Sequence, residues 1–127
     1  MEVRDAVEAD AEPLAALADA PAETMRNLVH DRTVRVADDG GRVVGFVSFD
    51  ARRDAVHVTQ FEGDREVAER LLREPGRFAD GEGMPVELLV EADREGLRAA
   101  ALDAGFEERG SGPRFDGAET VAFRRDP

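Results

Sequence analysis

One segment near the end of the chain constrains the fold more than any other. Its residues, 86–109, read VELLVEADREGLRAAALDAGFEER. They predict a buried strand over Val86–Val90 and then a helix, whose free N–H groups Asp93 can cap. Gly105 is suited to the left-handed conformation that commonly ends a helix, and Phe106 begins another strand with a large apolar anchor. A strand and a helix joined this closely predict a layered α/β fold.

Length and composition narrow the class of protein. A chain of 127 residues has the size of a single domain, which we expect to span residues 1–127. No run of about 18 apolar residues occurs, so we expect no membrane span. The N-terminus lacks the basic-then-apolar pattern of a signal peptide, and we therefore expect a cytoplasmic protein. The absence of Cys excludes disulfides, thiolate catalysis and Cys-based zinc sites.

The charge balance bears on the protein's environment and on its partners. The chain has 29 acidic residues against 17 basic ones, all Arg, and a formal net charge of −12. High genomic GC content would explain the missing Lys, but it does not explain the carboxylate excess. Together the two features are typical of a salt-adapted, haloarchaeal-type protein, because molar salt screens surface repulsion. The acidic excess argues against nucleic acid as a partner, since phosphate backbones need a basic face.

The remaining elements follow from turn residues and apolar spacing. The predicted order is β-α-α-β-β-β-α-β-α-β-β, which favours a mixed sheet with helices on both faces. Besides the strand Val86–Val90 and the helix that follows it, we expect a strand at Met1–Ala6, a helix capped by Asp10, a break at Pro21, a helix from Ala22, strands at Thr33–Ala37, Arg42–Phe49 and Ala55–Phe61, a helix at Asp64–Arg73, a loop at Glu74–Gly83, and strands at Phe106–Arg109 and Glu119–Arg124.

Four places in this order resemble one family, the GNAT superfamily of acetyl-CoA-dependent N-acyltransferases. The resemblance implies a GNAT-like acyl-CoA N-acyltransferase fold of the α/β (α+β) class. Its mixed, mostly antiparallel sheet has about six or seven strands flanked by about four helices. The residues that carry the resemblance are Val3-Arg4-Asp5-Ala6 with Asp10 and Leu14, the hairpin strand Gly41–Val47, the pair Leu71-Leu72, and Val90, Ala92 and Gly105-Phe106 in the late motif.

The same resemblance implies acetyl-CoA as cofactor and a small-molecule or peptide amine as acceptor. In the family, two strands splay apart, the pantetheine arm pairs with the backbone of one of them, and the pyrophosphate rests at the N-terminus of the following helix. A carboxylate or water removes a proton from the amine. Carried onto this sequence, the cofactor-binding positions are Thr59, Gln60, Phe61, Gly63, Asp64, Arg65, Glu66, Val67, Ala68 and Arg94.

The sequence departs from the family at the pyrophosphate loop, which usually reads R-G-x-G-x-G/A before the Leu pair. Gly63 stands in place of the Arg, and Asp64 and Glu66 stand in place of two Gly residues. Both replacements add bulk and negative charge, and Asp64 can cap the N–H groups that a phosphate would need. Of the loop positions compared with this pattern, only Ala68 carries a residue that the pattern allows. The Arg65 side chain can turn toward the loop and offset part of the repulsion between these carboxylates and a phosphate.

The late motif departs as well. Arg94 falls where the family usually has Asn, and Ala101 falls where it usually has Tyr. Since the chain has no Tyr at all, a phenolic general acid is excluded. Glu62, near the end of the splayed strand, is the candidate general base. Alternatively, Glu62 is an ordinary solvated carboxylate at the end of a strand.

The other polar residues give weaker signals. His57 alternates with two Val residues and predicts a packed or surface side chain, and His30 suits the C-terminal dipole of a helix. The turns at 38–39 and 50–54 are rich in Asp but lack the calcium-loop pattern, so we expect no metal site. No Ser-His-Asp arrangement with a nucleophile elbow occurs.

Three functional hypotheses therefore stay open. The first is an active acetyltransferase with a divergent cofactor loop, and the second is a non-catalytic descendant that binds a ligand or a protein. The third is an assembly subunit, for example a homodimer, that pairs through an exposed sheet edge. Thr120–Phe123 in the last strand is the expected edge.

Overall fold

A computed structural model describes all 127 residues of the chain. It contains seven strands and four α-helices, with one 3-10 turn at Glu8–Asp10 between the first strand and the first α-helix. Their order confirms the predicted sequence of elements. The strands are β1 (Glu2–Asp5), β2 (Thr33–Asp39), β3 (Arg42–Ala51), β4 (Val56–Glu62), β5 (Val86–Glu91), β6 (Glu107–Ser111) and β7 (Thr120–Arg125), and the helices are α1 (Ala11–Ala18), α2 (Ala22–Asp31), α3 (Arg65–Glu82) and α4 (Glu95–Asp103).

The strands form one mixed sheet in the order β1-β2-β3-β4-β5-β7-β6. Every neighbouring pair is antiparallel except β4 and β5, which are parallel. The expectation of an exposed edge at Thr120–Phe123 is wrong, because β7 lies between β5 and β6 and pairs with both. The edge strand at this end of the sheet is instead β6, whose five residues are all exposed and include Glu107, Glu108 and Arg109. Such charged side chains disfavour pairing with another chain.

Helices cover both faces of the sheet, each over its own apolar cluster. On one face, residues of α1 and α2 pack against β2 and β3, around Leu14, Met25 and Phe46. On the other face, α3 and α4 pack over the larger cluster, which includes Leu71, Leu72 and residues of β3, β4, β5 and β7. This three-layer arrangement is the one that the alternation of strands and amphipathic helices predicts.

Helix α3 is longer than the sequence indicates. The expectation of a loop over Glu74–Gly83 is wrong, because the helix continues through Pro75 and Gly76 and ends at Glu82. A proline inside a helix removes one hydrogen bond and costs roughly 3 kcal/mol. Burial offsets that cost, since the inward face carries an unbroken stripe of buried residues along its length. The stripe consists of Val67, Ala68, Leu71, Leu72, Pro75, Gly76 and Ala79.

Two of the expected helix caps are wrong. Helix α4 begins after Arg94, and no side chain, including that of Asp93, caps it. Asp10 does precede α1 but does not cap it. The Asp10 carboxylate instead accepts hydrogen bonds from two nitrogens of the Arg4 guanidinium, at 2.9 and 3.0 Å, and from the N–H of Val7. A bidentate charged partner is stronger than a neutral N–H, which explains why the carboxylate turns away from the helix.

The C-terminal end of α4 is as expected. Gly105 adopts φ +91 after the C-cap residue Ala104, and Phe106, which is 3% exposed, packs into the larger cluster just before β6. None of the helices combines the length and hydropathy needed to cross a membrane.

Candidate functional site

Strands β4 and β5 separate soon after they meet. Only two register pairs join them, Val56 with Val86 and His57 with Glu87. Beyond this point the rest of β4, as far as Glu62, has no partner on that side, and β5 pairs only with β7. The result is a notch that opens at the C-terminal ends of two adjacent parallel strands. Unpaired backbone groups along one wall can accept an extended ligand as an added strand.

A β-bulge shapes the wall of this notch. The register between β3 and β4 shifts by one residue, so that Thr59 lies opposite no residue of β3 in the backbone pairing. The Thr59 hydroxyl lies 2.6 Å from the buried hydroxyl of Ser48 and also donates to the Ser48 carbonyl. Because a bulge inserts one extra residue, it places Phe61 in the same apolar cluster as Val58. The sequence signal for it is the spacing of buried residues, two from Val56 to Val58 and then three.

The notch leads to the N-terminus of α3. Gly63, which stands where the family usually has Arg, adopts φ +146, a conformation that side chains rarely allow. Asp64 caps the helix as predicted, since its carboxylate accepts from the Val67 N–H at 3.0 Å. Its carbonyl accepts from the Ala68 N–H at 2.8 Å.

The first turn of α3 therefore keeps only part of its anion-binding capacity. The N–H groups of Arg65 and Glu66 have no hydrogen-bond partner. These two donors and the positive end of the helix dipole remain available to an anion. The exposed side chains of Asp64 and Glu66 lie beside them and oppose it.

Gly45 of β3 allows close packing at the junction between β4 and α3. A Cβ atom at Gly45 would lie 2.6 Å from Cγ1 of Val67 and 2.7 Å from the carbonyl oxygen of Glu62. Real Cβ atoms do not approach other atoms so closely. The lack of a side chain thus lets β3 pack directly against the point where β4 passes into α3. The sequence placed Gly45 in a hairpin strand that resembles the family's, but it did not indicate this contact.

An ion pair connects the two sides of the notch. Nη2 of Arg94, which precedes α4, lies 2.7 Å from Oε1 of Glu62 at the end of β4. The Glu62 side chain is 19% exposed and the Arg94 side chain 42% exposed. The hydrogen bond to Glu62 raises the pKa of Arg94 above its ordinary value. The candidate base is therefore held in place by a permanent cation from the opposite wall.

Arg65 does not turn toward the acidic loop. Its guanidinium binds Asp103 at the end of α4 through two hydrogen bonds of 2.7 and 3.1 Å. This contact raises the pKa of Arg65 and lowers the pKa of Asp103. In this conformation Arg65 joins α3 to α4, and the expected compensation of Asp64 and Glu66 is not seen.

The structure brings the predicted site residues to one place. Those of β4 line the notch, those of the loop lie at the start of α3, and Arg94 faces them. Phe61, Val67 and Ala68 are buried, so they offer backbone rather than side-chain contacts. Ala101 is fully buried in the core. The two His residues lie elsewhere: His57 is 3.7 Å from Glu87 at the closed end of the notch, and His30 is 3.8 Å from Glu8.

Solved structures with the same architecture belong to acetyltransferases. A ribosomal-protein-alanine N-acetyltransferase from Brucella melitensis matches all of both chains with a TM-score of 0.81 at 19% identity. An acetyltransferase of the GNAT family from Streptococcus pneumoniae matches 98% of both chains with a TM-score of 0.75 at 17% identity. The chain has the GNAT acyltransferase fold.

A third neighbour was solved together with its own cofactor. A putative acetyltransferase from Salmonella typhimurium, solved with acetyl-CoA, has a TM-score of 0.79 at 14% identity and matches 98% of this chain and 92% of its own. At these identities the likeness concerns the fold. No protein-family model and no curated protein matches the sequence.

Proposed function

We propose that this chain binds acetyl-CoA in the notch between β4 and β5 and transfers the acetyl group to an amine. The observation that carries the proposal is the separation of the two strands after His57, which leaves one wall of free backbone groups. Backbone recognition does not depend on side-chain identity, so it is compatible with the divergent loop. The acetyl-CoA found in a neighbour of the same fold supports this choice of ligand.

In this proposal, different parts of the notch contact different parts of acetyl-CoA. The unpaired part of β4, with the bulge at Thr59, receives the pantetheine arm. The free N–H groups of Arg65 and Glu66 donate hydrogen bonds to a phosphate oxygen, aided by the helix dipole. The carboxylates of Asp64 and Glu66 weaken that contact. A like-charge contact at about 4 Å costs about 1 kcal/mol in water and more where water is scarce.

Glu62 is the group placed to handle the proton of the acceptor amine. The thioester of acetyl-CoA supplies an activated acyl group, and the amine must lose a proton to attack it. The Glu62 carboxylate lies at the mouth of the notch, where Arg94 fixes its position. Because the chain has no Tyr, a phenolic acid is excluded, and in this proposal water protonates the departing thiolate. Acceptors are small-molecule or peptide amines.

Release of free thiol from acetyl-CoA in the presence of an amine pool tests this function. We expect amine-dependent thiol release in molar KCl that falls to the background rate in the Glu62→Gln variant. Acetyl-CoA that binds but is never consumed with any amine would refute the enzymatic proposal and leave the binding proposal intact.

A second candidate function is a non-catalytic ligand-binding or interaction module. Two observations favour it: Asp64 occupies the Val67 N–H that a phosphate would use, and Ala101 is buried where the family usually has Tyr. It predicts that acetyl-CoA gives no thermal stabilisation, since a ligand that binds only the folded state must raise the melting temperature.

A further inference from the structure

A second concave surface lies on the flank of α3 that faces away from α4. It is a groove of about 500 Å³ between α3 and the edge strand β1. Its lining includes four arginines, Arg35, Arg70, Arg73 and Arg77, and only two apolar residues. A volume of this size is typical of small-molecule sites, which usually have apolar linings. The arginine-rich lining of this groove selects a polar, anionic ligand instead.

The carboxylates around the groove form ion pairs with only some of the guanidinium groups. Arg35 forms the floor, since it binds Glu74 at 2.8 Å and Asp5 at 2.8 Å. Arg77 contacts the other oxygen of Glu74 at 3.2 Å. Glu74 is thereby shared between two arginines, and its side chain is only 9% exposed.

The two remaining arginines are less engaged. Arg73 contacts Glu69 through one nitrogen, and the exposed Arg70 makes no ion pair. Glu2 also lines the groove but forms no ion pair with these arginines. Several guanidinium donors of Arg70, Arg73 and Arg77 therefore stay free to bind an anion.

The spacing of these three arginines sets the kind of anion. They lie at positions i, i+3 and i+7, which fall on one face of a helix and repel each other. Seven residues of helix span about 10 Å, which is longer than a single phosphate or carboxylate. Guanidinium groups bind phosphate and carboxylate oxygens in pairs. Such a concentration of cations stands out in a chain with a net charge of −12.

We propose that this groove is a binding site for a small ligand with two neighbouring anionic groups, phosphates or carboxylates, held by Arg70, Arg73 and Arg77. Arg70 and Arg73 also line an adjoining depression with Asp64 and Glu66 at the start of α3, whereas Arg35, Glu74 and Arg77 line the groove alone. The proposal does not depend on acetyl-CoA. Arg35 and Glu74 do not contact the ligand charge directly but position Arg77 through their shared ion pairs.

Calorimetric titration with inorganic pyrophosphate, and separately with succinate, tests the site in the wild type and in the Arg70→Gln/Arg77→Gln variant. The matched control is Arg42→Gln/Arg53→Gln, which removes two exposed arginines without ion pairs elsewhere on the surface. We expect one-site binding of at least one probe, weakened by about tenfold or more in the groove variant and unchanged in the control. The stronger probe identifies the anionic group.

Two results would overturn the site. One is no binding of either probe to the wild type, and the other is equal weakening in both double variants, which would indicate non-specific charge attraction. A variant with Asp64→Gly separates the groove from the start of α3. We expect Asp64→Gly to leave pyrophosphate affinity unchanged, whereas pyrophosphate bound at the α3 N-terminus would bind more tightly once the Val67 N–H is freed.

Discussion

The carboxylate of Asp64 accepts a hydrogen bond from the N–H of Val67 at 3.0 Å, three residues further along the chain. The bond stabilises the start of α3, as an N-cap normally does. It also occupies one of the donors with which a helix N-terminus binds phosphate. A stable helix start and a strong phosphate site therefore compete for the same N–H group in this protein.

Replacing the two acidic loop residues should relieve this competition. We expect the Asp64→Gly/Glu66→Gly variant to bind acetyl-CoA roughly tenfold more tightly, which corresponds to about 1.4 kcal/mol. Glycine frees the Val67 N–H and removes two like charges, and Asp to Gly at an N-cap costs only a few tenths of a kcal/mol. Calorimetry in molar KCl measures the change.

The control for that variant is Glu12→Gln/Glu23→Gln. These are exposed carboxylates in the first turns of α1 and α2, so they match the removed charge but lie in other helices. An equal gain of affinity in this control would show that net charge alone is responsible, and would contradict a local effect of Asp64 and Glu66.

Substitution of the candidate base should separate chemistry from binding. For Glu62→Gln we expect kcat/KM to fall by about 10² to 10⁴, the usual contribution of a general base. Acetyl-CoA affinity should stay unchanged, because the pantetheine contacts are backbone contacts. Glu82→Gln, at the far end of α3, is the control. If both variants keep wild-type turnover, Glu62 is an ordinary strand-end carboxylate paired with Arg94.

The close packing at Gly45 predicts a clear loss of stability. A methyl group there would meet Val67 and the Glu62 backbone, so we expect Gly45→Ala to lower the free energy of unfolding by about 1–3 kcal/mol. Gly96→Ala is the opposite case, since nothing lies within 4 Å of that position in α4. It should stabilise by about 0.5–1 kcal/mol. Chemical denaturation of both variants measures the difference, and a stable Gly45→Ala would show that the junction is looser than described.

The ion pair of Asp10 with Arg4 predicts a pH-dependent contribution to stability. The hydrogen bonds from Arg4 hold the pKa of Asp10 below its ordinary value. A lowered pKa in the folded state stabilises the fold above the unfolded pKa of about 3.9, and this stabilisation is lost as the pH falls through the folded value. We expect Asp10→Asn to cost about 1.5–3 kcal/mol at neutral pH and progressively less in acid below the unfolded pKa.

Asp39→Asn is the control for this comparison, because Asp39 is exposed at the end of β2 and makes no ion pair. Urea unfolding at several pH values measures both variants against the wild type. A cost for Asp10→Asn that stays constant from neutral to strongly acidic pH would contradict the assignment of the ion pair.

Local patterns were sufficient to predict most of the fold. Gly105, the turn residues between β2 and β3, and the apolar spacing of the strands each act within a few residues, so the sequence indicates them directly. The end of α3 could not be predicted, because Pro75 and Gly76 break helices locally and only their burial against the sheet outweighs this. The position of β7 depends on pairing with β5, far away in the chain.

The site was predictable in part for the same reason. The family-like motifs indicated the loop at Gly63–Ala68 and the residues Glu62 and Arg94 separately. Their contact joins residues 32 positions apart, and only the folded chain brings them together. The bulge at Thr59 did leave a signal in the spacing of buried residues along β4. The arginine groove left only the spacing of its three α3 arginines, because Arg77 lies in the part of α3 expected to be a loop and the floor comes from β1 and β2.

The most direct test of the account is calorimetric titration of the wild-type protein with acetyl-CoA in molar KCl. The open notch between β4 and β5 predicts saturable binding to one site and a rise in melting temperature with ligand concentration. An absence of both heat and stabilisation at millimolar acetyl-CoA would contradict the proposal that the notch binds this cofactor.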